Sequence, residues 1–256
     1  MLPSTLPTNL WIVRHGQSAG NVARDAAELA QLPVIDIAAR DVDVPLSALG
    51  RRQSEALGHW LGDLPEIERP NVILCSPYLR AISTAEVMLQ AAGMPKESVY
   101  FSLDERLREK EFGILDRLTR FGIQQKYPDL DSQRQHVGKF YFRPPGGESW
   151  CDVILRLRGV ADSLGQDYPQ QRVLIVAHQV IVNCFRYLLE GMTEQQILDT
   201  DRGGDVPNCS VTAYRFDPQA GVAGKLVLED ACMVQPLLDE GAPITTQPDR
   251  TGAAKP

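Results

Sequence analysis

The chain has 256 residues, of which 43% are hydrophobic, and its formal net charge is −7 at pH 7. This length suits one large α/β domain, or at most two small ones, with a core big enough to fold without a disulfide or a metal. The acidic balance argues against a nucleic-acid-binding protein, because such proteins present a basic face. An anionic ligand would therefore have to be bound by a local cluster of cationic side chains.

The remaining composition excludes several other classes of protein. No run approaches the roughly 18 apolar residues of a membrane span, and the N-terminus lacks a basic segment followed by a long apolar one. We therefore predict a cytoplasmic protein that does not bind a membrane. The five cysteines are odd in number and include no Cys-x-x-Cys motif, which predicts buried, reduced thiols without a disulfide framework or zinc site.

Three short apolar runs, at residues 10–13, 72–75 and 173–177, predict buried strands of a parallel sheet. Helical patterns follow them, so strand and helix alternate along the chain. This alternation predicts an α/β fold, specifically a three-layer α/β/α sandwich with a mostly parallel central sheet.

Capping residues and apolar spacing predict the helices. Ser76 before Pro77 forms a good N-cap and first-turn pair, and Thr193 with Gln196 has the spacing of a capping box. The predicted helices cover residues 46–61, 78–92 and 149–164, and another begins after Gly191. Residues 210–216 and 225–233 are expected to form a β-hairpin or an edge pair.

Other segments depart from this alternation. Residues 22–44 are rich in Ala and Asp and are expected to form a loop excursion with a short helix. Residues 114–147, with prominent Tyr, Arg, Pro and Gly, predict a lid inserted over a site. We expect an N-terminal extension at residues 1–8, one domain at 9–235, and a disordered tail at 236–256, which is low in apolar residues.

Basic side chains follow the C-terminal ends of the three predicted strands. Arg14 and His15 come after the first strand, Arg80 lies just beyond the second, and His178 follows the third. Ligands of open α/β sheets bind in the crevice beyond these ends, so we expect the four side chains to converge. Such a cluster repels itself unless an anion balances it, and guanidinium matches the geometry of phosphate oxygens. The pattern therefore predicts a phosphate site.

Phosphoryl transfer is the chemistry that fits such a site. A neutral imidazole can attack phosphorus and form a covalent phospho-enzyme. Paired guanidiniums would stabilise the charge on the equatorial oxygens in the transition state. A carboxylic acid is then needed to protonate the leaving alkoxide and to activate water in the second step.

The motif RHGQSAGN, at residues 14–21, resembles the signature of the histidine phosphatase superfamily, also called the phosphoglycerate-mutase-like family. A lone RHG triplet would be weak evidence, but other stretches occur in the family's order and cover most of residues 10–216. They are PLSALGRRQ at 45–53, SPYLRAISTAE at 76–86, RLREKEFG at 106–113 and VAHQ at 176–179.

The resemblance implies a role for each matching residue. His15 matches the nucleophile, and His178 matches the second imidazole that stabilises the transferring group. Glu109 matches the proton donor by the motif's register, with Glu111 as the competing candidate. The matching phosphate-binding residues are Arg14, Asn21 and Arg80, although an Asn here could also simply cap a turn. No metal or other cofactor is implied.

The middle region resembles fructose-2,6-bisphosphatases and related broad-range phosphatases, chiefly through FYFRPPGGESW at residues 140–150. Arg143 and Gln179 match positions that contact the distal part of the substrate. Gly146 and Asn183 stand where the bisphosphatase has a lysine and an arginine. Two cations for a second phosphate are thus missing, and a doubly phosphorylated sugar is not expected as the main substrate.

These observations predict a metal-independent phosphatase that hydrolyses a small phosphorylated metabolite, a phosphomonoester, through a phosphohistidine intermediate. One alternative is a cofactor-dependent phosphoglycerate mutase. Such mutases carry an adjacent Arg pair in the lid, and none occurs between residues 114 and 147. The other alternative is a non-catalytic phospholigand-binding module, although all the matched catalytic positions are present. The oligomeric state is not predicted.

Overall fold

The structure, a computed structural model, describes residues 6–246. In this part of the chain six strands form one sheet in the order β3-β2-β4-β1-β5-β6. The strands are β1 (Asn9–Arg14), β2 (Val72–Cys75), β3 (Tyr100–Leu103), β4 (Arg172–Ala177), β5 (Val211–Asp217) and β6 (Lys225–Met233). The first four run parallel, whereas β5 is antiparallel to both β1 and β6. The predicted mostly parallel sheet and the antiparallel pair at its edge are confirmed.

Helices cover both faces of the sheet. The α-helices of the described residues, including two in the lid segment, are α1 (Ala19–Leu29), α2 (Ala48–Asp63), α3 (Leu79–Ala91), α4 (Arg120–Lys126), α5 (Pro128–Val137), α6 (Trp150–Asp167), α7 (Gln179–Glu190), α8 (Glu194–Gly203) and α9 (Gln235–Asp239). Successive residues of a strand point to opposite faces. Accordingly, Leu10 and Ile12 of β1 pack with α6 and α7, and Trp11 and Val13 pack with α2 and α3. The predicted three-layer sandwich is confirmed.

The helix that follows β2 begins later than predicted. Its first residue is Leu79, and the N-cap position belongs to Tyr78, whose side chain makes no capping hydrogen bond. The hydroxyl of Ser76, predicted as the cap, instead lies 2.7 Å from Nε2 of His178. By contrast, the capping box of Thr193 and Gln196 is present at the start of α8.

The excursion after β1 consists of α1 and a mostly irregular segment that we call the strap, residues 30–46, which includes a short 3₁₀ helix at Asp41–Asp43. The strap lies against the predicted lid segment, residues 114–147, which contains α4 and α5. Gly122 of α4 approaches the strap so closely that an added Cβ would lie 1.8 Å from the carbonyl oxygen of Pro33. Only glycine allows this contact, so strap and lid pack backbone to backbone.

The predicted disorder of residues 236–256 is wrong for residues 236–246. Leu237 of α9 is fully buried in the cluster formed by α2 and α3. The Gln53 side chain donates to the carbonyl oxygen of Pro243 at 2.8 Å, and the backbone N–H of Asn208 donates to Thr245 at 2.9 Å. A few apolar residues and main-chain bonds thus hold this segment, despite its polar composition. The remainder of the predicted tail, 247–256, and residues 1–5 of the predicted extension lie outside the described residues.

All five cysteines lie within the described residues, and none forms a disulfide. Three of them are buried, and burial raises the pKa of the Cys209 thiol to about 12, which keeps it protonated. No helix within residues 6–246 is long and apolar enough to cross a membrane.

Candidate active site

The candidate site lies beyond the C-terminal ends of three adjacent strands. In the sheet β4 lies between β1 and β2, so the residues that follow these strands meet at one edge. The ring centroids of His15 and His178 are 5.1 Å apart. Nε of Arg80 lies 3.3 Å from Nε2 of His15. The structure thus brings together the side chains that the sequence places at three separate strand ends.

The loop after β1 holds His15 firmly. Its backbone N–H donates to the carbonyl of Ala177 at 2.9 Å, and its own carbonyl accepts from the Asn208 side chain at 2.9 Å. The next residue must be glycine because the chain passes close to α2. A Cβ added to Gly16 would lie 2.4 Å from the carbonyl oxygen of Gly50. The RHG motif thereby fixes the imidazole at the strand end.

His15 has the protonation state that a nucleophile requires. Its Nδ1 lies 2.7 Å from the carbonyl oxygen of Gly16. A carbonyl can only accept, so Nδ1 carries the proton and Nε2 keeps its lone pair. Burial, and then the charges of Arg80 and Arg14, hold the pKa of His15 well below its ordinary value. The ring is therefore neutral at pH 7, with Nε2 facing the guanidinium of Arg80.

His178 is oriented by a serine whose role the sequence did not reveal. The Ser76 hydroxyl accepts from the backbone N–H of Tyr78 at 3.3 Å and lies within hydrogen-bond distance of Nε2 of His178, at 2.7 Å. When the hydroxyl donates in this pair, the ring proton is on Nδ1, which is buried without a hydrogen-bond partner among the described residues. Burial, followed by the charges of Arg80 and His15, lowers the pKa of His178 well below its ordinary value. A buried donor of this kind is available to an oxygen of a bound ligand.

Two buried guanidiniums complete the cluster. Arg14 is 3% exposed; its NH1 donates to the carbonyl of Val206, and its Nε has no partner among the described residues. Burial lowers the pKa of Arg14 to about 10, so it stays charged at pH 7. Arg80 is 5% exposed, and its NH1 and NH2 contact the carboxylate of Asp41 at 3.0 and 3.2 Å. The cluster can therefore bind an anion at two points.

A cavity of about 100 Å³ opens at this cluster. A single water needs roughly 10–15 Å³ of cavity volume measured in the same way. The cavity can therefore hold a phosphate group and a small organic part. Six of the predicted site residues line it: Arg14, His15, Asn21, Arg80, Glu109 and Gln179. Apolar side chains of Ile35, Ile37 and Phe112 and the guanidinium of Arg24 line it as well.

The structure distinguishes between Glu109 and Glu111, the two candidates for the proton donor. Glu109 lines the cavity and is close enough to Arg14 to interact with its charge. Glu111 does not line the cavity; its side chain is 48% exposed and accepts from the Tyr78 hydroxyl at 3.1 Å. The geometry therefore favours Glu109 as the group that can exchange a proton with a ligand.

Asn21 and Gln179 lie at helix starts that border the cavity. The Asn21 side chain accepts from the backbone N–H of Ser18 at 2.9 Å and completes the capping box of α1. It therefore caps a helix and lines the cavity at the same time. Gln179 is the first residue of α7, and its buried Oε1 has no partner among the described residues.

Two predicted site residues, His178 and Arg143, do not line the cavity. His178 lies against the His15 ring, but Arg143 makes its contacts elsewhere. Its side chain is 67% exposed, and its Nε donates to the carbonyl oxygen of Gly147 at 3.0 Å. It also lies 3.5 Å from the carboxylate of Asp152. The structure therefore gives no support to the predicted substrate contact of Arg143.

The sequence interpretation misses several residues at the site, among them Ser76 and the cavity-lining Arg24, Asp41 and Arg117. Ser76 belongs to the SPYLR stretch but was interpreted as a helix cap. Arg24 lies one helical turn after Asn21, a spacing that places both on one face of α1 and could have indicated it. No local signal indicates Asp41, which begins the short 3₁₀ helix of the strap. Within residues 6–246, no three His, Cys, Asp or Glu side chains are grouped as a metal site requires.

Comparison with known proteins agrees with this geometry. The family model described as "Histidine phosphatase superfamily (branch 1)" matches residues 10–228. A 2,3-bisphosphoglycerate-dependent phosphoglycerate mutase from Methylobacterium radiotolerans is 30% identical over 227 residues, which cover 86% of this chain and 95% of the mutase.

The 6-phosphofructo-2-kinase/fructose-2,6-bisphosphatase of Caenorhabditis elegans is also 30% identical, over 225 residues and 84% of this chain. This chain spans only 43% of the length of that enzyme. The native structure of a mycobacterial glucosyl-3-phosphoglycerate phosphatase has a TM-score of 0.64 and 25% identity, covering 87% of this chain and 97% of that one. The family match, the similar fold and the paired imidazoles and guanidiniums agree, and the chain belongs to the histidine phosphatase superfamily, branch 1.

Proposed function

We propose that this protein is a metal-independent phosphatase that hydrolyses a small phosphomonoester through a phosphohistidine on Nε2 of His15. One observation carries the proposal. A neutral imidazole, with its lone pair on Nε2, faces a buried cluster of two guanidiniums and a second imidazole. This arrangement supplies both a nucleophile and donors for the charge that develops on the phosphoryl oxygens.

In the first step, the Nε2 lone pair of His15 attacks phosphorus, and the bond from phosphorus to the ester oxygen breaks. Glu109, entering as a carboxylic acid, gives its proton to that oxygen, so the organic part leaves as an alcohol. Arg14, Arg80 and the Nδ1 proton of His178 bind the equatorial oxygens. The products of this step are the alcohol and the phosphohistidine.

In the second step, water attacks phosphorus from the side that the alcohol has left. Glu109, now a carboxylate, takes a proton from the water, and the bond between phosphorus and Nε2 breaks. Inorganic phosphate leaves, and both His15 and Glu109 return to their starting protonation states. No metal is needed in either step, since guanidinium and imidazole supply the charge stabilisation.

The cavity supports a substrate with one phosphate and a small organic part. Beyond the cluster its wall includes Ile35, Ile37 and Phe112, with two further cations at Arg24 and Arg117. The positions that the family resemblance associates with a second phosphate carry Gly146 and Asn183, neither of which is a cation. A singly phosphorylated metabolite is therefore the partner we propose.

A phosphoglycerate mutase is the second candidate, and the observation that favours it is the 30% identity over 95% of the Methylobacterium mutase. The first step would be the same, but the phosphoryl group would return to another hydroxyl of the bound molecule. The sequence lacks the adjacent Arg pair of such mutases between residues 114 and 147.

The test is a phosphate-release screen over small phosphomonoesters in excess EDTA. His15→Ala should abolish release, and wild-type enzyme quenched during turnover should carry acid-labile phosphate that His15→Ala lacks. His59→Ala is the matched control, because the His59 side chain is half-exposed and pairs with Glu240. Full activity of His15→Ala, or loss of wild-type activity on chelation, would contradict the proposal. Isomerised phosphoglycerate without net phosphate release would establish the mutase instead.

A further inference from the structure

The strap and the lid are joined by a series of polar contacts around Arg117. The backbone of Arg117 accepts from the N–H of Ile35 at 2.8 Å. Its guanidinium donates to the carbonyls of Ile37 and Ala39 at 3.1 and 3.0 Å. Thr119 donates to the carbonyl of Leu32 at 2.6 Å. The last part of the strap before the site is therefore held by the lid.

Arg117 adopts a backbone conformation that side chains other than glycine rarely take, with φ of 59°. Such a conformation is strained and persists only where neighbouring contacts impose it. Here it directs the guanidinium onto two strap carbonyls. The last of these contacts is to Ala39, two residues before Asp41.

Asp41 accepts hydrogen bonds from both terminal nitrogens of the Arg80 guanidinium. Its Oδ1 lies 3.0 Å from NH1, its Oδ2 lies 3.2 Å from NH2, and its backbone carbonyl accepts from NH1 at 2.6 Å. This is the bidentate geometry in which a carboxylate matches a guanidinium most closely. Arg80 is buried, whereas the Asp41 side chain is 47% exposed. The carboxylate thus approaches the buried cation from the strap side.

A guanidinium has a second donor edge, formed by Nε and the outer proton of NH2. In Arg80 this edge faces His15, because Nε lies 3.3 Å from Nε2 of the imidazole. Phosphorus bonded to Nε2 would place an equatorial oxygen next to this edge. Asp41 therefore occupies the donors that point away from the nucleophile, whereas Nε, on the edge that a phosphoryl group needs, is bonded to Nε2 of His15 itself.

We propose that Asp41 is a positioning residue for Arg80, and that the lid, through Arg117, holds Asp41 in place. The inference rests on the proposed phosphoryl chemistry of this site and names the device that orients one of its two guanidiniums. Without Asp41 the guanidinium can rotate about its terminal bonds, and its Nε edge no longer faces His15. A misplacement of about 1 Å in such a group can lower the rate on the order of a hundredfold.

The test compares Asp41→Ala, Asp41→Asn and Asp41→Glu with Asp43→Asn as the matched control. Asp43 lies in the same turn, but its carboxylate pairs with exposed Arg40. We expect Ala and Asn at position 41 to lower kcat by about ten- to a hundredfold, with a smaller change in KM. Glu should restore part of the loss because it keeps the carboxylate, and Asp43→Asn should behave as wild type.

Binding of orthovanadate and inorganic phosphate, followed by calorimetry, keeps the test independent of turnover. Vanadate, which mimics the five-coordinate phosphorus, should bind at least tenfold more weakly to Asp41→Ala, and phosphate should be affected less. Tighter phosphate binding with unchanged kcat would overturn the proposal, because Asp41 would then be a competitor for Arg80. If wild type bound vanadate yet hydrolysed no ester, the proposed function would fail while this comparison still tested the positioning.

The lid's part is tested by a double-mutant cycle. If Arg117 acts through Asp41, the double variant of Arg117→Ala and Asp41→Ala should lose no more vanadate affinity than Asp41→Ala alone. Losses that add would overturn the link, since they would mean that Arg117 acts on the ligand independently of Asp41.

Discussion

Replacing Glu109 with Gln tests the proton donor of the proposed reaction. The carboxyl group of Glu109 lines the cavity next to Arg14, whereas Gln keeps the shape but cannot give up a proton. General acid catalysis by one positioned group contributes about 10²- to 10⁴-fold. At about 1.36 kcal/mol per tenfold, this is about 2.7 to 5.4 kcal/mol of transition-state stabilisation. We expect kcat/KM for alkyl phosphates to fall by that factor.

The dependence on the leaving group makes this test specific. An alkoxide needs a proton as it leaves, but a nitrophenolate is stable without one. Glu109→Gln should therefore reduce kcat/KM for a nitrophenyl phosphate by less than about tenfold, far below the general-acid range. The assay measures both esters with the same enzyme preparation.

Glu111→Gln is the matched control. Glu111 is two residues away, accepts from Tyr78 and does not line the cavity. We expect it to lower kcat/KM for both esters equally and by less than about tenfold, as for a lost surface interaction. Equal losses for the two esters in Glu109→Gln, or a loss that depends on the leaving group in Glu111→Gln, would refute the assignment.

Further predictions concern the imidazoles, the serine and the C-terminal segment. Because burial and the neighbouring arginines depress the pKa values of His15 and His178, the unfolded state binds more protons below about pH 6.5. The free energy of unfolding should therefore fall as the pH drops below that value, and urea titrations of His15→Ala should show a shallower fall; an unchanged slope would contradict the pKa argument. Ser76→Ala, which removes the 2.7 Å bond to His178, should lower kcat by roughly two- to tenfold; steady-state kinetics equal to wild type would argue against an orienting role. Leu237→Ala should lower the free energy of unfolding, measured in urea, by about 2–5 kcal/mol because the side chain is fully buried. Leu238→Ala, at an exposed position, should lower it by less than about 0.5 kcal/mol. Equal urea midpoints for the two variants would show that the segment does not pack on the core.

The sequence alone was sufficient for the fold class and for most of the site. Short apolar runs predict buried strands because only strands covered on both faces read as continuous apolar segments. The register of the RHG and VAHQ motifs then places His15 and His178 directly after two such strands, where parallel topology makes their ends neighbours. These inferences succeed because they depend on residues close together in the chain.

Contacts between distant parts of the chain required the tertiary structure. Ser76 and His178 are 102 residues apart, and Arg80 and Asp41 are 39 apart. Local patterns gave Ser76 the role of a helix cap and gave Asp41 none. Arg143 shows the reverse case, since its motif suggests a substrate contact but its side chain turns outward to Gly147.

The segment after residue 235 illustrates the same limit. Its composition predicts disorder, because few apolar residues are available to offset the loss of chain entropy. In the structure Leu237 enters a core already formed by α2 and α3, and Gln53 and Asn208 satisfy the backbone of residues 243–245. Composition, periodicity and motif spacing thus predicted most of the strands and helices and the candidate reactive residues. Tertiary packing alone decided which distant partners orient the reactive groups, because a hydrogen bond depends on distance in space and not on separation along the chain.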